Sequence, residues 1–206
     1  CMSVLIQTHA LILASKSEPR KKILEKTGLE FTVIDSGIDE TKIKEKYKTS
    51  SLKEVVLELA KAKALAVSDQ FPESIVIGAD QVCCLSDQLL GKPKTEELAC
   101  QQLIRLSGKT HHLYCGVSLY HNKKQIWSTV ERASLTMRAL TKDECRAYVE
   151  LDQPLQSCGA YKFESYGCHL FKSVTGSSDQ IQGLPLLSLL TALRRYGVYT
   201  LNYKKI

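Results

Sequence analysis

The chain has no CxxC pair and no zinc-type ligand spacing among its eight cysteines, which removes the structural zinc domains from consideration. No apolar run approaches the ~20 residues that a membrane-spanning helix needs. The LIL at 11–13 is too short for the core of a secretion signal, and charged residues follow it at once. No Lys/Arg tract alternates with aromatics, which argues against nucleic-acid binding as the main activity. Repeats and low-complexity segments are absent.

What is present fits a soluble globular protein. The 206 residues suffice for one large domain or two lobes, and 44% hydrophobic with 24% charged residues is ordinary for that class. The net charge of +6 suits a phosphate-rich ligand. Its basic residues are spread out, with short clusters at Arg20, Lys21 and Lys22 and at the C-terminus. Cys1, Cys83, Cys84, Cys100, Cys115, Cys145, Cys158 and Cys168 fall partly in apolar runs, where a thiol behaves as a small core residue. They read as reduced thiols of a cytoplasmic protein.

The patterning alternates strand and helix, which predicts an α/β fold. A strand is expected over 10–14. A turn follows at Ser15–Ser17, and Ser17 is the N-cap of a helix over 18–27 that tolerates Pro19 in its first turn. Gly28 is a natural C-cap, and a second strand follows near 30–34. Residues 52–68 form the clearest helix, with Val55, Val56, Leu59, Ala62, Ala66 and Val67 on one arc. The IVIGAD at 75–80 reads as a strand buried on both faces, ending at Asp80, then continuing or turning back through 82–85. Thr95 caps a helix over 96–106. Strands follow near 112–120 and 125–137. Thr141 and Glu144 make a capping box for a helix over 142–150. Residues 157–175 read as strand and loop, and Pro185 opens a last helix over 185–196 that Gly197 stops.

Several residues carry chemistry. A buried Asp80 must meet a cation, a metal or hydrogen-bond donors; a salt bridge closing a sheet edge is the plainer reading. Lys63 falls inside the apolar arc of its helix, so it either snorkels out or meets a buried anion. The turn at 15–17 precedes a helix N-terminus, where free N–H groups and the dipole suit an anion, although such serines also serve merely as caps. Arg20 can fork onto a phosphate, and Lys92 lies in the GKP at 91–93, held extended by the proline. Together these give three cations and one acid, a combination suited to a polyphosphate. His111 and His112 adjoin in a strand, face opposite ways and cannot act as a pair. The KIKEKYK at 42–48 reads as a solvated surface.

The same residues fall in ordered motifs: LASKS (13–17) with Arg20, DE (39–40), LAKAKA (59–64), GADQV (78–82), GKP (91–93), LSGKTHH (106–112), GAYKFES (159–165) and GLPL (183–186). Through them the chain resembles the Maf family of nucleotide pyrophosphatases over about residues 11–197. The resemblance implies one domain over 1–206 with a two-lobed Maf and inosine-triphosphatase-like fold: a twisted mixed sheet flanked by helices, with a cleft between the lobes. It implies hydrolysis of a nucleoside triphosphate between the α- and β-phosphates, with magnesium or manganese. Asp80 matches the family's proton acceptor and Glu40 an acid near the metal, so both are expected metal ligands. Ser15, Ser17, Arg20, Lys63 and Lys92 match the phosphate-contacting stretch, which favours the catalytic reading of Lys63.

Within the family, Gln81 and Glu164 resemble the 7-methyl-GTP branch. A carboxylate can accept from the guanine edge and balance the positive charge of an N7-methylated ring. The chain departs from the family's SPRR or SPWRR at SEPRKK, where Pro19 takes a position at which a tryptophan could stack on the base. Pyrophosphatases for dTTP, UTP or deaminated purines, and a nucleotide-binding regulator of cell division with little turnover, stand as alternatives. The resemblance admits a homodimer and implies no stable nucleic-acid or membrane partner.

Overall fold

The computed structural model describes residues 5–86 and 88–202; Cys1 and the basic C-terminal cluster lie outside them. The first half of the chain forms β1 (Leu5–Gln7), β2 (Leu11–Leu13), α1 (Glu18–Glu25), β3 (Thr32–Val33), α2 (Glu40–Lys46), α3 (Leu52–Ser68), β4 (Ile75–Leu85), β5 (Gln88–Leu90) and α4 (Glu96–Leu106). The second forms β6 (Thr110–His121), β7 (Lys124–Met137), α5 (Lys142–Asp152), β8 (Phe171–Thr175), α6 (Ser178–Ile181), α7 (Leu186–Arg195) and β9 (Tyr199–Leu201). Two short 3-10 turns, Cys158–Ala160 and Tyr166–Leu170, precede β8.

Among the described residues, seven strands form one mixed sheet in the order β3-β2-β4-β6-β7-β8, with β5 folded back on β4. β2 runs parallel to β3 and to β4, whereas β5 and β8 run antiparallel to their partners. Asn122 and Lys123 link β6 to β7 with φ of +51° and +63°, the left-handed pair that suits a two-residue hairpin turn in a twisted sheet. The α/β expectation is thus met. No helix among the described residues is long and apolar enough to cross a membrane, and no disulfide forms among the described cysteines.

The chain divides into two compact units. The first contains residues 1–80, 116–130 and 183–206, and the second 81–115 and 131–182. The first has a core of Ile12, Ala14, Ala64, Val67, Val76 and Tyr120. In it, α3 lies almost backbone to backbone on the sheet. A Cβ on Gly78 of β4 would stand 2.1 Å from the Ala60 carbonyl oxygen, and one on Gly116 of β6 would stand 2.8 Å from that of Val56. The second unit has its own core, in which Leu103 and Leu106 of α4 join Leu113, Leu135, Met137 and Tyr161.

The helices α3 and α4 have the expected bounds, and the Thr95 and Thr141 caps form as expected. Three features differ. Asp80 does not end its strand: β4 runs on to Leu85, because Val82, Cys83, Cys84 and Leu85 are buried as well and pair with β5. A helix, α2, occupies part of the polar stretch after β3. It buries no residue, so no apolar stripe marks it; its start is fixed by Asp39, whose Oδ1 accepts from the Thr41 and Lys42 N–H groups at 3.0 and 3.4 Å. The strands β1 and β9, three residues each, pair with one another and carry no pattern long enough to read.

Candidate active site

Three parallel strands, β3, β2 and the part of β4 in the first unit, set the site's frame. Ligands of open α/β sheets gather beyond the carboxyl ends of such strands. β2 leaves the sheet at Leu13, level with Ile77 of β4, so the turn that follows lies beside the stretch carrying Asp80. In that turn Ser15 is buried, and its Oγ accepts from the Ser17 N–H at 3.2 Å and from Arg20 Nη1 at 3.1 Å. Ser17 is the N-cap of α1 as expected, yet its side chain makes no capping bond. One reason is local: Pro19 removes the N–H of the second helical position, one of the two donors a capping hydroxyl uses.

Arg20 sits on the inner face of α1 with Ile23 and Leu24. It is 8% exposed, and its Nε donates to the Gly183 carbonyl oxygen at 2.7 Å. No carboxylate reaches it among the described residues. A buried guanidinium satisfied only by neutral oxygens lacks a counter-anion, which a phosphate would supply.

Asp80 is also 8% exposed. Its Oδ1 accepts from Lys63 Nζ at 2.6 Å, and the same ammonium lies 2.8 Å from Glu40 Oε1. Lys63 therefore meets a buried anion and does not snorkel. The contact follows from the packing: Gly78 and Asp80 are two apart on β4 and share a face, and Lys63 lies beside Ala60 and Ala64, which press on Gly78. The second Asp80 oxygen has no protein partner among the described residues. Glu40 opens α2, and its Oε2 pairs with Lys44 at 3.1 Å. Burial pushes the Glu40 carboxyl upward, but Lys63 and then Lys44 outweigh it and hold the carboxyl at about 2.

The first unit thus gathers Ser15, Ser17 and Arg20 in one cluster and Glu40, Lys63 and Asp80 in another. The remaining expected site residues are placed as follows. Pro19 is half-buried in the first turn of α1. Lys92, Gln81 and Glu164 belong to the second unit. Lys92 is exposed in the loop after β5, and Glu164 is exposed in a turn. Gln81 spends its amide N–H groups on the Gln180 and Ile181 carbonyl oxygens, at 3.1 and 3.0 Å. The turn bearing Glu164 is tied to α5: Asp152 is buried and accepts from Tyr148 Oη at 2.8 Å and Ser165 Oγ at 2.7 Å, while Tyr148 Oη accepts from the Lys162 N–H at 2.9 Å.

Sequence reasoning missed two partners of these residues. Lys44 stands one helical turn from Glu40, a signal readable only once α2 is known. Gly183 meets Arg20 across the sequence, and no local pattern announces that. His111 and His112 diverge as expected: His111 is fully buried against Tyr161 Oη at 2.8 Å, and His112 meets Ser134 Oγ at 2.9 Å.

The structure is thus that of an α/β protein whose mixed sheet carries Asp80 within β4 and a buried Arg20 that no carboxylate reaches among the described residues. A family model for Maf-like proteins matches residues 10–196, and the chain belongs to that family. A nucleoside triphosphate pyrophosphatase of Legionella pneumophila (strain Corby) is 41% identical over 192 residues, covering 93% of this chain and 96% of that protein. A 7-methyl-GTP pyrophosphatase of Bartonella quintana (strain Toulouse) is 42% identical over 196 residues, covering 94% and 98%. Among solved structures, a HAM1 protein from Coxiella burnetii matches with a TM-score of 0.47 at 14% identity, covering 89% of this chain and 98% of that one.

Proposed function

We propose that this chain is a nucleoside triphosphate pyrophosphatase that cleaves the α–β phosphoanhydride and releases the monophosphate and pyrophosphate, with 7-methyl-GTP as its preferred substrate. The observation that carries the reaction is a buried arginine with no counter-anion among the described residues, in the same unit as an ammonium-held buried aspartate. Arg20, with the Ser15–Ser17 turn, binds phosphate oxygens. Lys63 holds Asp80 through Oδ1, which leaves Oδ2 to take a proton from the attacking water. General-base help of this kind contributes roughly 10²–10⁴-fold.

The donor set also suits a divalent metal. Magnesium takes one or two carboxylates and completes its shell with substrate phosphate and water. Glu40 Oε1 and Asp80 Oδ1 already converge on one cation, the Lys63 ammonium, at 2.8 and 2.6 Å. These two carboxylates would hold the metal, and when bound it supplies neutralisation of charge on the phosphate oxygens.

The base preference rests on Gln81 and Glu164 and on the relative named for 7-methyl-GTP. That relative is 42% identical and the one named more broadly is 41% identical, so overall identity does not separate the two readings. A panel of 7-methyl-GTP, GTP, UTP, dTTP, CTP and ITP with magnesium tests both levels. Broad or pyrimidine turnover would keep the reaction and discard the base preference. Tight nucleotide binding without product would favour a regulator instead.

A further inference from the structure

Of the five N–H groups of Arg20, two meet protein acceptors among the described residues. Nε meets the Gly183 carbonyl oxygen at 2.7 Å, and Nη1 meets Ser15 Oγ at 3.1 Å. Two bonds fix the plane of a guanidinium, so the group is held in one orientation before any ligand arrives. Such preorganisation spares the entropy of ordering a long side chain on binding.

Gly183 does more than offer a carbonyl. Its φ is +104°, in the region that favours glycine, and a Cβ there would stand 3.2 Å from Arg20 Nε and 3.3 Å from Nη2. The guanidinium therefore rests against a bare Cα. Its shorter anchor comes from a residue 163 positions away and joins α1 to the segment leading into α7.

We propose that Gly183 is the positioning residue of the phosphate grip: its carbonyl anchors the Nε edge of Arg20, and its missing side chain leaves room for Nη2 to serve an anion. The inference rests on the reading of Arg20 as a phosphate ligand. An alanine at 183 strains the backbone and displaces the guanidinium. What the site then loses is geometry, with the charge retained.

The test is calorimetric binding of a GTP analogue with a methylene between the α- and β-phosphorus atoms. The proteins are wild type, Gly183→Ala, Arg20→Lys and the double variant, each with its melting curve. Gly183→Ala is expected to weaken binding about tenfold, the scale of one charge-assisted hydrogen bond. Arg20→Lys keeps the charge but has no Nε, and is expected to lose at least as much. The double variant should bind no worse than Arg20→Lys alone, as residues acting through one another do. Additive losses would show a glycine acting independently of Arg20 and overturn the proposal. So would wild-type affinity in Gly183→Ala with only a lower melting temperature. Arg20→Lys with wild-type affinity overturns it even where Gly183→Ala does not fold. A wild-type protein that binds no analogue removes the nucleotide reading itself, and the positioning role with it.

Discussion

Lys63 Nζ stands 2.6 Å from Asp80 Oδ1, and that contact exists because the strand beneath α3 has no side chain at Gly78. Gly78→Ala would drive a methyl group into the Ala60 carbonyl oxygen, where backbone cannot yield as a flexible side chain can. The variant should lose at least the roughly 1–3 kcal/mol typical of overpacking, and activity should fall with it as Lys63 is lifted from Asp80. Urea denaturation reads the first effect. An unchanged midpoint would mean that α3 does not lie this close to β4.

Asp80→Asn keeps the size of the side chain and removes its capacity to accept a proton as a base. Turnover should fall by about 10²-fold or more, while binding of the methylene analogue stays within a few-fold of wild type. Steady-state pyrophosphate release and calorimetry separate the two effects. Retained turnover would take the general-base role from Asp80.

Lys63→Met keeps much of the volume and removes the shared cation. Asp80 and Glu40 then face each other without it, so the Glu40 carboxyl should rise from about 2 toward or beyond its ordinary value of 4.5. Turnover and nucleotide affinity should both drop. An NMR titration of side-chain carboxyl carbons follows Glu40 directly, and a Glu40 that still titrates near its wild-type value would show that Lys63 is not what holds it down.

Acid should weaken the fold in two windows. His111 is fully buried, and burial with the charge of His112 lowers it from 6.5 to about 4. The unfolded chain therefore takes up that proton first, so stability is full above pH 6.5 and is lost as pH falls toward 4. The loss amounts to up to about 3 kcal/mol. Glu40 acts lower: its contribution is present above pH 4.5 and is lost as pH falls toward 2. Denaturation midpoints across pH should show the first slope flattened in His111→Gln and the second in Glu40→Gln. A first slope that survives in His111→Gln would assign it to other groups.

The sequence was most legible where one physical rule acted alone. The apolar arc of α3 placed Lys63 on a buried face, and the capping residues Thr95 and Thr141 fixed the starts of α4 and α5. It was least legible where a feature depends on distant chain or on solvated residues. The helix α2 has no buried stripe, so only the Asp39 cap marks it. The fate of Lys63 needed the packing of α3 on Gly78, since a helical wheel alone cannot say whether an anion waits below. Residues 82–85 read as either continuing the strand or turning back, and burial with pairing to β5 decides for a strand running through Asp80. The anchor of Arg20 on Gly183 joins the two ends of the chain, where no local pattern reaches.

The most direct measurement is pyrophosphate release from 7-methyl-GTP with magnesium, beside GTP, UTP, dTTP, CTP and ITP, with Asp80→Asn as the control. The account predicts turnover that Asp80→Asn nearly abolishes, with 7-methyl-GTP the preferred substrate. No pyrophosphate from any nucleotide, or equal release by Asp80→Asn, would contradict it.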